Sequence, residues 1–327
     1  MGSSHGPEGD LAREAGIPFK AIPSLPLTRA FSFRNVQSLI GLAAGVPRAR
    51  RILRDFAPDV AIGTGGYTTA AVLIAQRLLG GKIVIHEQNA IPGRTNRLLG
   101  IIADRVCVTF NSSADYFSAK KVVVTGMPIR KEFASLPEKP EARSKLGLRV
   151  DAFTILVIGG SQGARRLNEL MFSAWPMLND GATQVVHQVG DRNVEQARSF
   201  AEEFGSMYRV ETYVDAPLAM AAADLVVCRS GASTLAEITA VGLPSIQVPY
   251  PYAYADHQKR NAEYLVSRGA AILCEEQYCT SEHLASLICE LRSNSEKLGA
   301  MASASAAAGR PDAARTVAEV AMSLAGK

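Results

Sequence analysis

The sequence predicts an α/β protein with two domains, each built on a parallel β-sheet. Short apolar runs such as 154–158 and 225–228 end at glycine-rich turns, and a helix-forming segment follows each turn. Buried parallel strands read as continuous apolar runs, and a repeated strand–turn–helix order is typical of a parallel sheet. A chain of 327 residues is long enough for two such domains.

The most informative stretch, 225–262, predicts a strand, a glycine turn, a helix and a second strand. The helix ends at Gly242, and Pro244 follows, which is the usual order of stop residues. Its N-terminus lies at the carboxyl edge of the sheet, where such folds bind phosphate or sugar oxygens. Glu237, one turn into the helix, either accepts hydrogen bonds from two adjacent hydroxyls, as in a ribose, or complements the helix dipole.

Two other stretches place polar residues after predicted strands. His86-Glu87-Gln88-Asn89 ends one strand and is followed by Pro92-Gly93. These side chains either line a cleft or include a buried, hydrogen-bonded His–Glu pair. Residues 159–165, GGSQGAR, form a glycine-rich turn of the kind that cradles phosphate.

These three motifs, in this order, resemble the bacterial glycosyltransferases that add N-acetylglucosamine to the lipid-linked muramoyl-pentapeptide of cell-wall synthesis. The resemblance covers nearly the whole chain. It implies the GT-B fold, two Rossmann-like domains with parallel sheets facing a cleft. It also implies transfer from UDP-N-acetylglucosamine to undecaprenyl-diphospho-N-acetylmuramoyl-pentapeptide (lipid I) to give lipid II, by a single inverting displacement.

The resemblance also implies the donor-binding residues. Glu237 is expected to contact the ribose, Gln258 and Asn89 the sugar, and Arg130 the diphosphate, where a guanidinium can bind through two nitrogens. Met127 stands where the family has Asn, so the role of that side chain is lost. The full expected set is Asn89, Arg130, Ser161, Gln162, Gly163, Val214, Ala232, Ser233, Thr234, Leu235, Glu237 and Gln258.

Acceptor contacts are expected at Gly66 and Tyr67, in a glycine turn after the strand 59–63. Residues 25–56 combine apolar side chains with an arginine cluster, which is typical either of a helix packed on the sheet or of a helix on an anionic membrane surface. The resemblance favours the membrane. It implies a peripheral protein on the cytoplasmic face of the bacterial membrane, with cell-wall synthesis proteins as possible partners.

The family begins with a strand and a G-G-T-G-G-H loop, whose histidine is the proposed general base. No such motif occurs in this sequence. We therefore expect the first sheet to lack a central strand and helix, and the chain to be poorly stable or inactive unless another segment fills the gap. The catalytic base is left unknown; His86 and Glu87 are the candidates to replace it.

Composition excludes several other classes. A net charge of +4 is too small to indicate nucleic-acid binding. The five cysteines have no metal-ligand spacing, and no D-x-D carboxylate pair suggests a metal, so we expect no cofactor, UDP-N-acetylglucosamine being a substrate. Two alternatives stay open: another GT-B glycosyltransferase or UDP-sugar epimerase, and a non-catalytic nucleotide-sugar-binding scaffold.

The charged, proline-containing stretch 137–149 is expected to link the two domains. The predicted organisation is an N-terminal acceptor-side domain over 1–136, a C-terminal UDP-sugar domain over 150–308 and a helix over 309–327 that returns to the first domain.

Overall fold

The computed structural model divides the chain into two compact units. The first comprises residues 1–125 and 314–327, and the second comprises residues 126–313. The structure describes the chain except for residues 4, 5, 7, 23–32, 161, 162, 192, 193 and 327, and it does not describe the side chains of residues 33–43, Tyr67 and Gln196.

Strands and helices alternate along the chain, as the apolar runs and glycine turns predict. The strands are β1 (Gly2–Ser3), β2 (Ala21–Ile22), β3 (Val60–Gly63), β4 (Lys82–Glu87), β5 (Arg105–Val108), β6 (Val122–Val124), β7 (Phe153–Ile158), β8 (Thr183–Gln188), β9 (Tyr208–Glu211), β10 (Leu225–Cys228), β11 (Ser245–Gln247) and β12 (Ala271–Leu273). The helices are α1 (Glu8–Glu14), α2 (Phe33–Phe56), α3 (Tyr67–Leu78), α4 (Arg94–Ile102), α5 (Lys139–Lys145), α6 (Arg165–Leu178), α7 (Val194–Phe204), α8 (Ala216–Ala222), α9 (Ala232–Val241), α10 (His257–Val266), α11 (Ser281–Ser293), α12 (Ser295–Ala308) and α13 (Ala313–Leu324).

The second unit has a parallel sheet in the order β9-β8-β7-β10-β11-β12. This is the doubly wound order in which the first strand is central and the chain winds outward in both directions. Helix α6 covers one face, where Trp175 and Met171 are fully buried against Ile155 and Val157. The sheet is thus buried between helices, and its carboxyl ends share one edge.

The first unit has a parallel sheet in the order β3-β4-β5-β6. Leu73 of α3 packs with Ile83, Ile85 and Val106 in one core cluster. A second cluster joins Val317 of α13 to the sheet residues Val84 and Cys107. The last helix of the chain therefore belongs to the core of the first unit.

Strands β1 and β2 form a separate parallel pair in the first unit. A groove of about 1170 Å³ is lined by residues of β3, α2 and α3, and by Met1 and Lys20, which directly precede β1 and β2. Within the described residues β3 pairs only with β4, and its Ile62 is 47% exposed. An apolar edge strand of this kind offers unpaired backbone groups to other chains.

Residues 137–149, which the sequence predicted to be a linker, contain α5 and belong to the second unit; the two units divide between Thr125 and Gly126. Arg143 is only 6% exposed and donates to the carbonyls of Ala222 and Val150 at 3.0 and 2.6 Å. It also forms an ion pair with Asp224. One of the charges that suggested a linker, Arg143, is therefore buried and paired, and it holds α5 against α8 and the segment that leads into β10.

Asp224→Ala is expected to lower the free energy of unfolding of the second unit by about 3 kcal/mol, because it leaves Arg143 buried without a counter-charge. Lys139→Ala removes a half-exposed partner of the same carboxylate and is expected to cost less than about 1 kcal/mol. Trp175 is the single tryptophan and lies in this unit, so its fluorescence during denaturation measures both. Equal losses would contradict the buried-pair argument.

Candidate functional site

The two glycine turns predicted to bind the donor lie side by side in the second unit. Strands β7 and β10 are hydrogen-bonded neighbours, with Ile158 opposite Cys228 at their carboxyl ends. The strand order reverses between them, since β8 lies beyond β7 and β11 lies beyond β10. Open α/β sheets bind ligands in the crevice at such a switch point.

The turn after β7 requires glycine at two positions. A Cβ added to Gly159 would lie 2.6 Å from the backbone nitrogen of Ala164. At Gly163, where φ is +72°, it would lie 2.0 Å from the carbonyl oxygen of Val189. The turn thus packs backbone against backbone. Ser161 and Gln162, expected to bind the donor here, lie outside the described residues.

The turn after β10 leads into α9, whose first residues are the predicted donor contacts Ala232, Ser233, Thr234 and Leu235. The N–H of Leu235 donates to the carbonyl of Gly231 at 3.0 Å, whereas the earlier N–H groups of a helix have no intrahelical partner. Ser233 is exposed and Thr234 is half-buried. This helix start favours an anionic oxygen through its N–H groups and its dipole.

Glu237 of α9 is held in an ion pair with Arg130. The Nε and Nη2 groups of Arg130 both donate to Oε1 of Glu237, at 3.2 and 3.0 Å. The Glu237 side chain is 14% exposed and that of Arg130 is 52% exposed. Burial raises the pKa of Glu237 above its ordinary value, and the charge and hydrogen bonds of Arg130 oppose that shift.

These two hydrogen bonds use only one oxygen of the Glu237 carboxylate and only two of the three nitrogens of the Arg130 guanidinium. Among the described residues, Oε2 of Glu237 accepts no hydrogen bond. The Nε–Nη2 edge of Arg130, which we expected to bind the diphosphate through two nitrogens, is occupied by Glu237. Within the part of the chain that the structure describes, its Nη1 group donates no hydrogen bond.

Gln258 lines a pocket of about 550 Å³ in the second unit, together with Gly160 and Gly163 of the first turn and Thr234 of α9. Both glycine turns and the predicted sugar contact therefore share one cavity. Oε1 of Gln258 accepts a hydrogen bond from the backbone N–H of Tyr250 at 2.9 Å. Because a donor must face the amide oxygen, this bond fixes the orientation of the amide.

Val214, expected to contact the nucleotide base through its backbone, already uses its N–H. That group donates to Oε1 of Gln188 at 3.2 Å, and Nε2 of Gln188 donates to the carbonyl of Gly160 at 3.1 Å. The Val214 carbonyl is the backbone group that remains for a base. Gln188, 6% exposed, ties this segment to the glycine turn.

Comparison with known proteins identifies two family models that together span most of the chain. Residues 154–317 match the glycosyltransferase family 28 C-terminal domain, and residues 1–108 match the glycosyltransferase family 28 N-terminal domain. The chain belongs to glycosyltransferase family 28.

Individual relatives agree with this assignment. The chain is 38% identical to a protein of Desulforudis audaxviator named UDP-N-acetylglucosamine--N-acetylmuramyl-(pentapeptide) pyrophosphoryl-undecaprenol N-acetylglucosamine transferase, covering 100% of this chain and 90% of the relative. A protein of the same name from Desulforamulus reducens is 40% identical, over 96% of this chain and 86% of the relative. Among solved structures, Acinetobacter baumannii MurG matches with a TM-score of 0.76 and 29% identity, over 98% of this chain and 89% of that one. The two α/β units with parallel sheets are thus those of the GT-B fold.

In the first unit of this family 28 chain, Glu87 holds the loop after β4. Its Oε1 accepts the N–H of Asn89 at 2.9 Å, and its Oε2 accepts the N–H of Gly93 at 3.2 Å and Nδ2 of Asn96 at 2.8 Å. Glu87 is 1% exposed and His86 is 3% exposed. Both side chains are buried, and the Glu87 carboxylate bonds to the following loop and to Asn96 in place of the expected His86 partner. The base role considered for His86 and Glu87 stays a prediction; Asn89 is half-buried.

The predicted acceptor contacts Gly66 and Tyr67 lie where α3 begins. Gly65 and Gly66 have φ of +96° and +83°, a conformation that favours glycine, so the turn itself explains both glycines. The backbone of Tyr67 starts the helix, and its side chain lies outside the described residues.

Three pocket-related residues were missed by sequence reasoning: Gln188, Arg229 and Glu276. Arg229 and Glu276 line the pocket that contains Gln258, and they form an ion pair with each other. The sequence could have indicated Arg229, because it is a charged residue directly after the apolar run 225–228 and shortly before Gly231. Such a position predicts a buried charge with a dedicated partner.

Gly163→Ala is expected to destabilise the second unit more than Gly160→Ala does. Both glycines have positive φ, +72° and +91°, so each alanine incurs the left-handed penalty of about 1–2 kcal/mol. Only the Gly163 variant also forces a methyl group against the Val189 carbonyl, whereas the space at Gly160 is open. Denaturation followed by Trp175 fluorescence measures the difference, and equal losses would contradict the close packing of this turn.

Proposed function

We propose that this chain transfers N-acetylglucosamine from UDP-N-acetylglucosamine to undecaprenyl-diphospho-N-acetylmuramoyl-pentapeptide, giving lipid II for peptidoglycan synthesis. The relatives that share more than a third of its sequence carry the name of this activity. The observation that supports it most in the structure is the pocket shared by the glycine turn after β7, the start of α9 and Gln258, with the Glu237–Arg130 pair on the same helix α9. Together these features have the chemistry to bind a nucleoside diphosphate.

The donor-binding roles follow from the chemistry of each group. Oε2 of Glu237 accepts from the ribose hydroxyls, and the diphosphate binds the N–H groups at the start of α9 and Nη1 of Arg130. The glycine turn, with Gly163, Ser161 and Gln162, cradles the same phosphates. The Val214 carbonyl accepts from the base. Gln258 binds the sugar, and Asn89 of the first unit stays a predicted donor contact.

The reaction in this proposal is a single displacement with inversion. The acceptor hydroxyl oxygen bonds to the anomeric carbon, the bond from that carbon to the UDP oxygen breaks, and a general base takes the hydroxyl proton. Negative charge then develops on the diphosphate. The N-terminus of α9 and the Arg130 guanidinium stabilise that charge where it appears. We assign no residue as the base.

The acceptor in this proposal is lipid-linked and binds beside Gly66 and Tyr67, with the protein peripheral on the cytoplasmic membrane face. On α2, Ala49 and Leu53 are buried while Arg48, Arg51 and Arg54 are exposed. An exposed arginine row is attracted by anionic headgroups. Within the described residues, no helix has both the length and the apolar character needed to span a bilayer.

Because the sequence lacks the G-G-T-G-G-H loop, we expect the unchanged chain to release UDP from UDP-N-acetylglucosamine slowly, and only when the lipid-linked muramoyl-pentapeptide is present. Glu237→Gln is expected to lower this rate at limiting donor by about 10- to 100-fold, because it removes a charged hydrogen-bond partner of the ribose. Glu141→Gln, an exposed carboxylate on α5, is the matched control and is expected to leave the rate unchanged. A coupled assay for UDP measures all three.

The outcomes separate the alternatives. Donor binding without acceptor-dependent release would support a nucleotide-sugar-binding scaffold and contradict the transferase. Release with a different sugar nucleotide or acceptor would support another glycosyltransferase activity. Neither binding nor release would contradict the proposal as a whole.

UDP affinity is expected to weaken on acidification, starting above the pH range in which an ordinary glutamate titrates. Burial raises the pKa of Glu237, so its carboxylate is protonated as the pH falls through this raised value. The protonated group loses its charge pair with Arg130 and one acceptor for the ribose. Calorimetric titration with UDP at several pH values measures the effect.

Glu237→Gln is the control for this titration, because the phosphate of UDP titrates equally against both variants. The difference between the two pH profiles isolates the Glu237 contribution. Profiles that run parallel over the whole range would contradict the assigned role of the carboxylate.

A further inference from the structure

Arg229 is a buried charge in the donor pocket that the roles above do not use. It follows β10 directly and is 8% exposed. Its Nη1 donates to the carbonyls of Val248 and Pro249 at 2.9 and 3.1 Å, and its Nη2 forms an ion pair with Glu276. One guanidinium therefore joins the segments that follow β10, β11 and β12, all at the carboxyl edge of the sheet.

The carbonyls that Arg229 holds lie directly before Tyr250. The Arg229 guanidinium carbon also lies 5.7 Å from the centre of the Tyr250 ring. The N–H of Tyr250 is the donor that fixes Oε1 of Gln258. The orientation of the Gln258 amide therefore depends on a backbone segment that Arg229 positions.

The intervening loop needs such support. Ala255 and Asp256 have φ of +50° and +53°, a left-handed conformation that is strained in residues other than glycine. Asp256 immediately precedes α10, which carries Gln258 in its first turn. Strained backbone persists only when surrounding contacts hold it, and the Tyr250–Gln258 hydrogen bond closes this loop.

We infer that Arg229 is a positioning residue for the donor sugar: it holds the backbone at Val248 and Pro249 so that Tyr250 fixes Gln258 with its amide NH₂ available to the ligand. With Oε1 occupied, Gln258 recognises an acceptor oxygen of the sugar as a hydrogen-bond donor. This inference rests on the proposed function, because it assigns a second residue to the proposed sugar subsite.

Arg229→Lys is the informative change because lysine keeps the charge but lacks the planar fork. A single ammonium does not reproduce the geometry that reaches the two carbonyls and Glu276 together. The variant is therefore expected to loosen the Tyr250 segment while retaining a cation beside Glu276. Arg292→Lys is the matched control, since Arg292 also pairs with a carboxylate, Asp180, and does not line the pocket.

The experiment is calorimetric titration of the full chain with UDP and, separately, with UDP-N-acetylglucosamine. Arg229→Lys is expected to weaken UDP-N-acetylglucosamine binding on the order of tenfold relative to UDP, which lacks the sugar. Arg292→Lys is expected to leave the ratio of the two dissociation constants unchanged. In a Gln258→Ala background, Arg229→Lys is expected to change the ratio no further.

Three results would overturn the inference. An equal loss of affinity for UDP and for UDP-N-acetylglucosamine in Arg229→Lys would show that Arg229 supports the fold and does not position the sugar contact. Additive effects in the double variant would show that Arg229 does not act through Gln258. Failure of the unchanged chain to bind either ligand would overturn the proposed function, and this inference with it. If the unchanged chain binds both ligands, a negative result with Arg229→Lys contradicts only the role inferred for Arg229.

Discussion

Parallel pairing of β7 with β10 is the constraint on which the donor site depends. In a parallel sheet every strand ends at the same edge, so the turns after these neighbouring strands must lie together. Here the winding direction also reverses, which opens space between the two turns. Gly159 and Gly163 then let the first turn pack backbone against backbone, where any Cβ would collide. The site is therefore a consequence of strand order and of two missing side chains.

Burial and ion pairing have opposite effects on the pKa of Glu237 in this site. Burial disfavours the charged form of Glu237, and Arg130 restores part of what burial removes. A carboxylate that stays ionised in a half-buried place is a strong acceptor for neutral hydroxyls. The second buried pair, Arg229 with Glu276, differs because the Arg229 guanidinium also donates hydrogen bonds to backbone carbonyls. In our proposal the two arginine–glutamate pairs of this unit therefore have separate roles, one in ligand contact and one in loop geometry.

The apolar runs and glycine turns were enough to predict the parallel α/β architecture, because a strand that is buried on both faces of a sheet needs a continuous run of apolar residues. They could not predict the burial of Arg143, since a charged, proline-containing stretch has the same composition whether it is a solvated linker or a docked helix. The carboxylate of Glu87 posed the same difficulty: its spacing to Asn89 and Gly93 allows a cleft or a closed loop. Long-range partners decide such cases. The base contact expected at Val214 from the resemblance stays a prediction, and the sequence could not show that its N–H donates to Gln188.

The Arg130–Glu237 pair also bears on how much reorganisation donor binding requires. Both hydrogen bonds end on Oε1, so the ribose can bind Oε2 and a phosphate can bind Nη1 while the pair stays intact. Each side chain is already held in place, which reduces the conformational entropy lost on binding. Each partner also keeps the other in its charged state as the ligand displaces water. In the proposed site the ion pair is therefore already formed, and it would not have to break before a ligand binds.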